Sequence, residues 1–302
     1  MNGAQFRAML KPWILPIAMI TGILAHSYIS YLAFLTQWLI LLMLFITFCR
    51  IAPSQIRFNR VMLWLLTVQI AGAIAVYCAT VWWSVDVAQG LFICVFCPTA
   101  TAAPVITAAL GGSLPRVVTY SLLSNVTVAL LAAPLLSVIG GTDSDMLSTA
   151  AGIAIKVFPL IISPLLAAFL LRAFMPKIHA AIGGAQEVSF YLWAVSLIIA
   201  VGNSVEFVMA EPPSMIPEII AIALGAGVVC MLQFIAGRRI GARYGDAVSA
   251  AQSLAQKNTV LAIWLALTYL HPVASVAPAA YIAWQNTINS VQLYRYQRHH
   301  SK

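Results

Sequence analysis

The stretch Gln252-Ser253-Leu254-Ala255-Gln256-Lys257-Asn258-Thr259 leads directly into the apolar run Val260-Leu261-Ala262-Ile263-Trp264-Leu265. It places a lysine where a helix is expected to be buried in lipid. A charged side chain at membrane depth is costly, so it is interpreted first as part of a functional site. The predicted spans offer Lys257 no obvious acidic partner.

The composition predicts an all-α integral membrane protein. Of the 302 residues, 62% are hydrophobic and 8% are charged, and the mean hydropathy is +0.94; soluble domains carry about 25% charged residues. At about 20 residues per span, the chain has room for about ten transmembrane helices and no separate soluble domain. The sequence has no Ser/His/Asp or metal-ligand cluster, so we expect neither an enzyme nor a cofactor or metal site.

The placement of charge predicts the topology. The net charge is +8, but the basic residues fall in short loops, which indicates orientation in a lipid bilayer and no nucleic acid as a partner. Every other loop is basic, so we expect a multi-pass plasma membrane protein, in a bacterial inner membrane, with both termini cytoplasmic. The predicted spans are about 12 to 27, 31 to 49, 61 to 80, 87 to 110, 116 to 139, 147 to 173, 186 to 206, 215 to 236, 248 to 269 and 273 to 294.

Ten spans divide into two five-helix repeats of opposite orientation, residues 1–140 and 141–302, because five is odd. The fourth span of each repeat is interrupted. In the first, Cys97-Pro98-Thr99-Ala100-Thr101-Ala102-Ala103-Pro104 places two helix-breaking prolines inside an apolar run. In the second, the polar run around Lys257 occupies the same place. Paired broken helices point to a binding site near the membrane midplane.

With these features the chain resembles the bile acid:sodium symporter family, whose members move bile acids, keto acids, pantoate and other organic anions. The resemblance covers nearly the whole chain. It is carried by Leu42-Met43-Leu44-Phe45-Ile46-Thr47 with Ala52-Pro53-Ser54, by Gln69, by Cys97-Pro98-Thr99-Ala100-Thr101-Ala102-Ala103-Pro104-Val105, by Lys257-Asn258-Thr259 and by Trp284-Gln285-Asn286.

The resemblance implies a secondary transporter that works by alternating access. Its core would contain the crossing fourth and ninth helices and would move against a panel of the first, second, sixth and seventh, with the two parts interleaved along the chain. The sodium-binding residues of the family are replaced here. Its acidic residue, glutamine and asparagine correspond to Ser253, Lys257 and Pro104. Sodium needs several oxygen ligands with compensating charge, and the carboxylate is missing.

These departures lead to the hypothesis that the ammonium of Lys257 replaces a bound sodium ion. Gln69, Gln256 and Ser253 would support or couple to it. Burial disfavours a charged amine, so proton coupling through Lys257 is a further hypothesis. The polar residues predicted to contact an organic anion substrate are Thr99, Thr101, Asn258, Thr259 and Asn286.

Several alternatives remain open at this level. Lys257 could snorkel to the interface from a helix that starts later. Thr99 and Thr101 could form hydrogen bonds to carbonyls of their own helix. The amides of Gln69 and Asn258 could simply join helices. The chain could instead be a sodium-coupled anion or bile acid symporter, or a membrane receptor that binds an anion without transport. The substrate, the direction of transport and the oligomeric state are not specified by the sequence.

Overall fold

A computed structural model describes residues 14–50, 56–100, 102–140 and 146–300. Over these ranges the chain is almost entirely α-helical and contains no strand. In chain order the α-helices are α1 (Ile14–Leu24), α2 (His26–Ile29), α3 (Leu35–Phe48), α4 (Arg60–Thr80), α5 (Val85–Phe96), α6 (Ala103–Ala109), α7 (Leu114–Ile139), α8 (Met146–Phe174), α9 (Pro176–Gly184), α10 (Gln186–Ala210), α11 (Ile216–Ala242), α12 (Ala247–Ala255), α13 (Thr259–Tyr269) and α14 (Val276–His300).

The predicted membrane character is supported by helix length and composition. In the described ranges, four helical segments are long and apolar enough to cross a bilayer: Arg60–Thr80, Leu114–Ile139, Ala150–Phe174 and Pro213–Ala242. Large apolar side chains such as Trp64, Leu224 and Leu232 lie exposed on their surfaces. An apolar surface of this kind is expected to face lipid rather than water. Ten spans arranged as inverted repeats remain a prediction.

Local sequence signals explain where several helices begin. The side chains of Asn59 and Ser84 accept hydrogen bonds, both 3.2 Å, from backbone N–H groups in the first turns of α4 and α5. Such caps satisfy N–H groups that have no partner within the helix. Pro104 lies in the first turn of α6, a position where the missing N–H of proline costs no helical bond. It therefore begins a helix, whereas Pro98 lies in the non-helical segment between α5 and α6.

The interrupted helices form the centre of the molecule. Every residue from 87 to 100 and from 249 to 266 is buried, which is unlike the two-sided pattern of the surface helices. Helices α4, α11 and α14 pack around α5, and α11 also packs along α12. A second group, formed by α1, α3, α8 and α10, packs together beside them. The polar run around Lys257 is thus surrounded by protein on all sides.

Candidate functional site

The two non-helical segments cross each other at the centre of the protein. Thr99 and Lys257 form an antiparallel β-bridge. The amide of Ala100 donates to the carbonyl of Gln256 at 2.8 Å, and the amide of Asn258 donates to the carbonyl of Pro98 at 2.9 Å. Backbone groups that each helix interruption leaves free are therefore satisfied by the other interrupted segment. We call residues 97–100 and 256–258 the crossing.

The ammonium group of Lys257 closes the end of α5. Its Nζ donates to the carbonyl of Val95 at 2.8 Å and to that of Cys97 at 3.0 Å. The last carbonyls of a helix have no partner within it and carry the negative end of the helix dipole. The side chain is only 1% exposed. The Lys257 amine therefore lies inside the protein and does not reach an interface, and the end of α5 favours its charged form.

Gln69 of α4 supports the same group of carbonyls. Its Nε2 donates to the carbonyls of Phe96 at 2.7 Å and Cys97 at 3.1 Å. Its Oε1 accepts from the hydroxyls of Tyr120 at 2.7 Å and Ser124 at 3.0 Å, both on α7. Both ends of the amide are thereby used, and its orientation is fixed. Gln69 and Lys257 share the Cys97 carbonyl, so the two side chains form one network.

The opposite side of the crossing is held by residues that the sequence analysis did not assign to the site, although it quoted Gln285 within the Trp284-Gln285-Asn286 motif. The Oε1 of Gln285 accepts from the backbone amide of Lys257 at 3.1 Å. Tyr281 donates its hydroxyl to the carbonyl of Ala255 at 2.8 Å and accepts from Gln233 Nε2 at 3.0 Å. The sequence drew attention to α14 through Asn286, but that side chain is only partly buried, and the neighbouring Gln285 faces the lysine.

The other predicted site residues have different positions. Thr99 donates its hydroxyl to the carbonyl of Ser253 at 2.7 Å, which ties the two broken helices together. Asn258 caps α13 by accepting from the amide of Leu261 at 3.2 Å. The Nε2 of Gln256 and the hydroxyl of Thr259 are buried without a hydrogen-bond partner. Thr101 lies outside the described residues.

The charge at the crossing is unpaired in the described part of the chain. Among those residues, Lys257 is the only buried Lys, Arg, Asp or Glu. None of the ion pairs between described residues involves it, and the same ranges hold no group of three potential metal ligands. The arrangement can therefore provide a positive charge when Lys257 is protonated, together with polar groups, and it lacks a carboxylate for binding a metal cation.

No protein-family model matches the chain, and no curated protein matches it. The family resemblance accordingly rests on the sequence motifs alone, and the function is proposed from the geometry of the crossing.

Proposed function

We propose that the protein is a secondary transporter that moves an organic anion by alternating access without sodium, because the ammonium of Lys257 takes the place of a bound sodium ion. The observation that carries this proposal is the pair of hydrogen bonds from Lys257 Nζ to the carbonyls of Val95 and Cys97. In transporters built from inverted repeats, coupling cations bind at the ends of broken helices near the midplane. In this protein, carbonyls at the end of a broken helix accept hydrogen bonds from the ammonium of a lysine, which is a cation that belongs to the chain itself.

The chemistry of lysine fits this role. An ammonium is a compact point charge with three donors and no acceptor, so it can satisfy several carbonyls as a metal ion would. A sodium ion would require more oxygen ligands and a compensating carboxylate. Ser253 stands at the position where the resemblance implies an acidic side chain. A second, mobile cation at the crossing would also be repelled by the ammonium.

Two unpartnered donors nearby are candidates for contact with the anion. The amide nitrogen of Gln256 and the hydroxyl of Thr259 are buried without partners, and Thr259 lies in the first turn of α13, at the positive end of the helix dipole. Both side chains are about 2% exposed. A substrate would reach them only after the surrounding helices move, as alternating access requires.

The proposed movement takes place between the two groups of helices. The hydrogen bonds of the crossing hold α5, α6, α12 and α13 as one body, while α10 packs against α1 and α3, and α3 packs against α8. The proposal includes ten spans, inverted repeats at residues 1–140 and 141–302, and cytoplasmic termini. A proton-linked cycle would follow if Lys257 releases its proton when the carbonyl of Val95 or Cys97 moves away from it.

The first test compares the thermal stability of purified wild type and Lys257→Gln over a range of sodium concentrations, with potassium keeping the ionic strength constant. A ligand that binds only the folded state raises its stability by mass action. We expect wild type to show no sodium response and Lys257→Gln either to lose stability, because the carbonyls of Val95 and Cys97 lose their donor, or to gain a sodium response. Lys177→Gln, which changes an exposed lysine, is the matched control. Specific stabilisation of wild type by sodium would refute the replacement.

The second test measures uptake into proteoliposomes of a 2-oxo acid, pantoate and taurocholate. Uptake of at least one anion without a sodium gradient is the expected result. Uptake that depends on the sodium gradient would identify a sodium symporter instead. Saturable binding of an anion without uptake by the same preparation would identify a receptor.

A further inference from the structure

A cavity of about 430 Å³ lies between the start of α3, the last turns of α10 and the half of α13 that is remote from Lys257. This volume is in the range of small-molecule sites. Its lining includes Thr36 on α3, Asn203 and Glu206 on α10, and Trp264 and Thr268 on α13. None of the residues of the crossing contributes to it, so it is a separate site.

The lining of this cavity contains one carboxylate. Glu206 is the only ionisable residue among the twelve described residues that line it. One carboxylate oxygen, Oε2, contacts Nδ1 of His26, which lies outside the lining. Oε1 has no partner among the described residues. A cationic group in the cavity can therefore gain a charge-assisted contact with Oε1.

Three aromatic rings share the lining of the cavity with this carboxylate. Phe34, Phe207 and Trp264 all line the cavity, and the side chains of Phe34 and Phe207 are exposed. The face of an aromatic ring attracts a cation, most strongly in the case of tryptophan, and quaternary ammonium groups are bound in this way. A carboxylate together with three aromatic rings favours an organic ammonium ion over a small hydrated metal ion.

Asn203 supplies a polar contact that the protein itself does not use. Its side chain is 6% exposed and lines the cavity, and it forms no hydrogen bond with another described residue. Its amide is therefore free to bond to a hydroxyl or carbonyl group of a ligand in the cavity. Asn203 precedes Glu206 by three residues on α10, so the two side chains lie on the same face of the helix.

We propose that this cavity binds a small organic ammonium ion that carries a polar group. Glu206 and the aromatic rings hold the cationic end, and Asn203 binds the polar end. This inference goes beyond the proposed anion transport, because the cavity shares no residue with the crossing. The cavity lies between α13 and the group that contains α3 and α10, so the proposed movement would change its shape.

The test measures binding of choline to the purified protein by calorimetry, with 3,3-dimethylbutan-1-ol, its neutral isostere, as the matched ligand. Choline is expected to bind saturably and the alcohol at least about tenfold more weakly, since only choline has the charge that Glu206 recognises. Equal binding of the two compounds, or no heat from choline at millimolar concentrations, would overturn the proposal.

Two variants test separately the contact with the charged end of the ligand and the contact with its polar end. Glu206→Gln is expected to reduce choline affinity about tenfold or more, whereas Glu211→Gln, the same change five residues further on and outside the lining, leaves it unchanged. Asn203→Leu is expected to weaken choline binding severalfold and to leave the affinity for tetramethylammonium, which has no polar group, unaltered. If Glu206→Gln keeps full affinity, or if Asn203→Leu weakens both ligands equally, the assignment is wrong. Should Glu206→Gln fail to fold, the Asn203→Leu comparison still decides.

Discussion

At the scale of the single residue, the helix interruption explains how a lysine is accommodated inside the protein. Burying an ammonium costs several kcal/mol. Each hydrogen bond from a charged group contributes about 1.5–3 kcal/mol, and Lys257 makes two to carbonyls that would otherwise have no helical partner. The end of the α5 dipole adds a further favourable interaction. The charge and the interruption therefore depend on each other.

Gln69→Leu is expected to destabilise the protein by about 3 kcal/mol, because it leaves the Phe96 carbonyl and two hydroxyls of α7 without their buried partner, and each unsatisfied group costs about 1–3 kcal/mol. Unfolding of purified protein in a denaturant series measures the change. Thr67→Val on the same helix removes only a hydrogen bond to its own helix from an exposed side chain. A loss no larger than that of Thr67→Val would show that the Gln69 network contributes little.

The sequence revealed some of these residues and concealed others for a physical reason. Lys257 and Gln69 were found because a polar side chain in an apolar run stands out. Tyr281 was missed because a tyrosine in an apolar run does not stand out, and Gln285 was not chosen as a site residue although it is part of the Trp284-Gln285-Asn286 motif. Asn286 was selected instead of Gln285, and one position along a helix turns the side chain by about 100°, which composition alone does not define.

Among the helices, the crossing depends on contacts between two broken helices. Each of them has backbone groups at its interruption that find no partner in their own helix. The sequence predicted an interruption in the fourth span from its prolines and in the ninth span from its polar run. It did not predict that Thr99 reaches across, because its notable feature was its place beside a proline. The hydroxyl of Thr99 instead joins the first broken helix to the carbonyl of Ser253 in the second.

Thr99→Val is expected to loosen the crossing, because it removes that bond while keeping the side-chain volume. The backbone amides of Ala100 and Asn258 should exchange hydrogen faster, which mass spectrometry of peptides covering 97–103 and 255–260 measures. Thr107→Val is the matched control, since this threonine is also buried but bonds within its own helix. Equal acceleration in both variants would contradict a specific tie between the helices.

Helix α5 packs closely against α14 and the turn that precedes it. A Cβ on Gly90 would lie 2.9 Å from the Cβ of Ala277 and 3.0 Å from the carbonyl oxygen of Ala274. Gly90→Ala is expected to destabilise the protein by about 1–3 kcal/mol through overpacking. Gly72→Ala is the control, because its nearest neighbour would be 3.7 Å away and alanine favours a helix by about 1 kcal/mol. Denaturant unfolding of the two variants should differ in sign; equal stabilities would refute the packing argument.

At the scale of the whole molecule, charge is separated between two ends of the helix bundle. Asp86, in the first turn of α5, contacts His271 at 3.2 Å, and Glu218, in the first turn of α11, accepts from Ser84, at the end of the bundle that the charge pattern assigns to the outside. Arg116 pairs with Asp246 at 2.8 Å in the region assigned to the inside, where Arg238, Arg239 and Arg243 also lie. Hydropathy predicted an α-helical membrane protein, which agrees with the four long apolar helices. Composition could not predict which helices pack together, because their apolar faces are chemically alike.

This separation predicts which loops are accessible from each side of the membrane. Of the five cysteines, only Cys78 is exposed, so Cys78→Ser provides a background in which single exposed cysteines can be labelled. Trp82→Cys, next to the acidic end, should react with a membrane-impermeant maleimide in intact cells. Tyr244→Cys, next to Arg243, should react only after permeabilisation, because basic loops are retained in the cytoplasm. Both positions are exposed, so a difference in labelling reports sidedness rather than burial. The inverted repeat needs five spans, the fourth to the eighth, between these two positions. Labelling of both cysteines from the same side would rule out an odd number of spans between them and would therefore refute the inverted repeat.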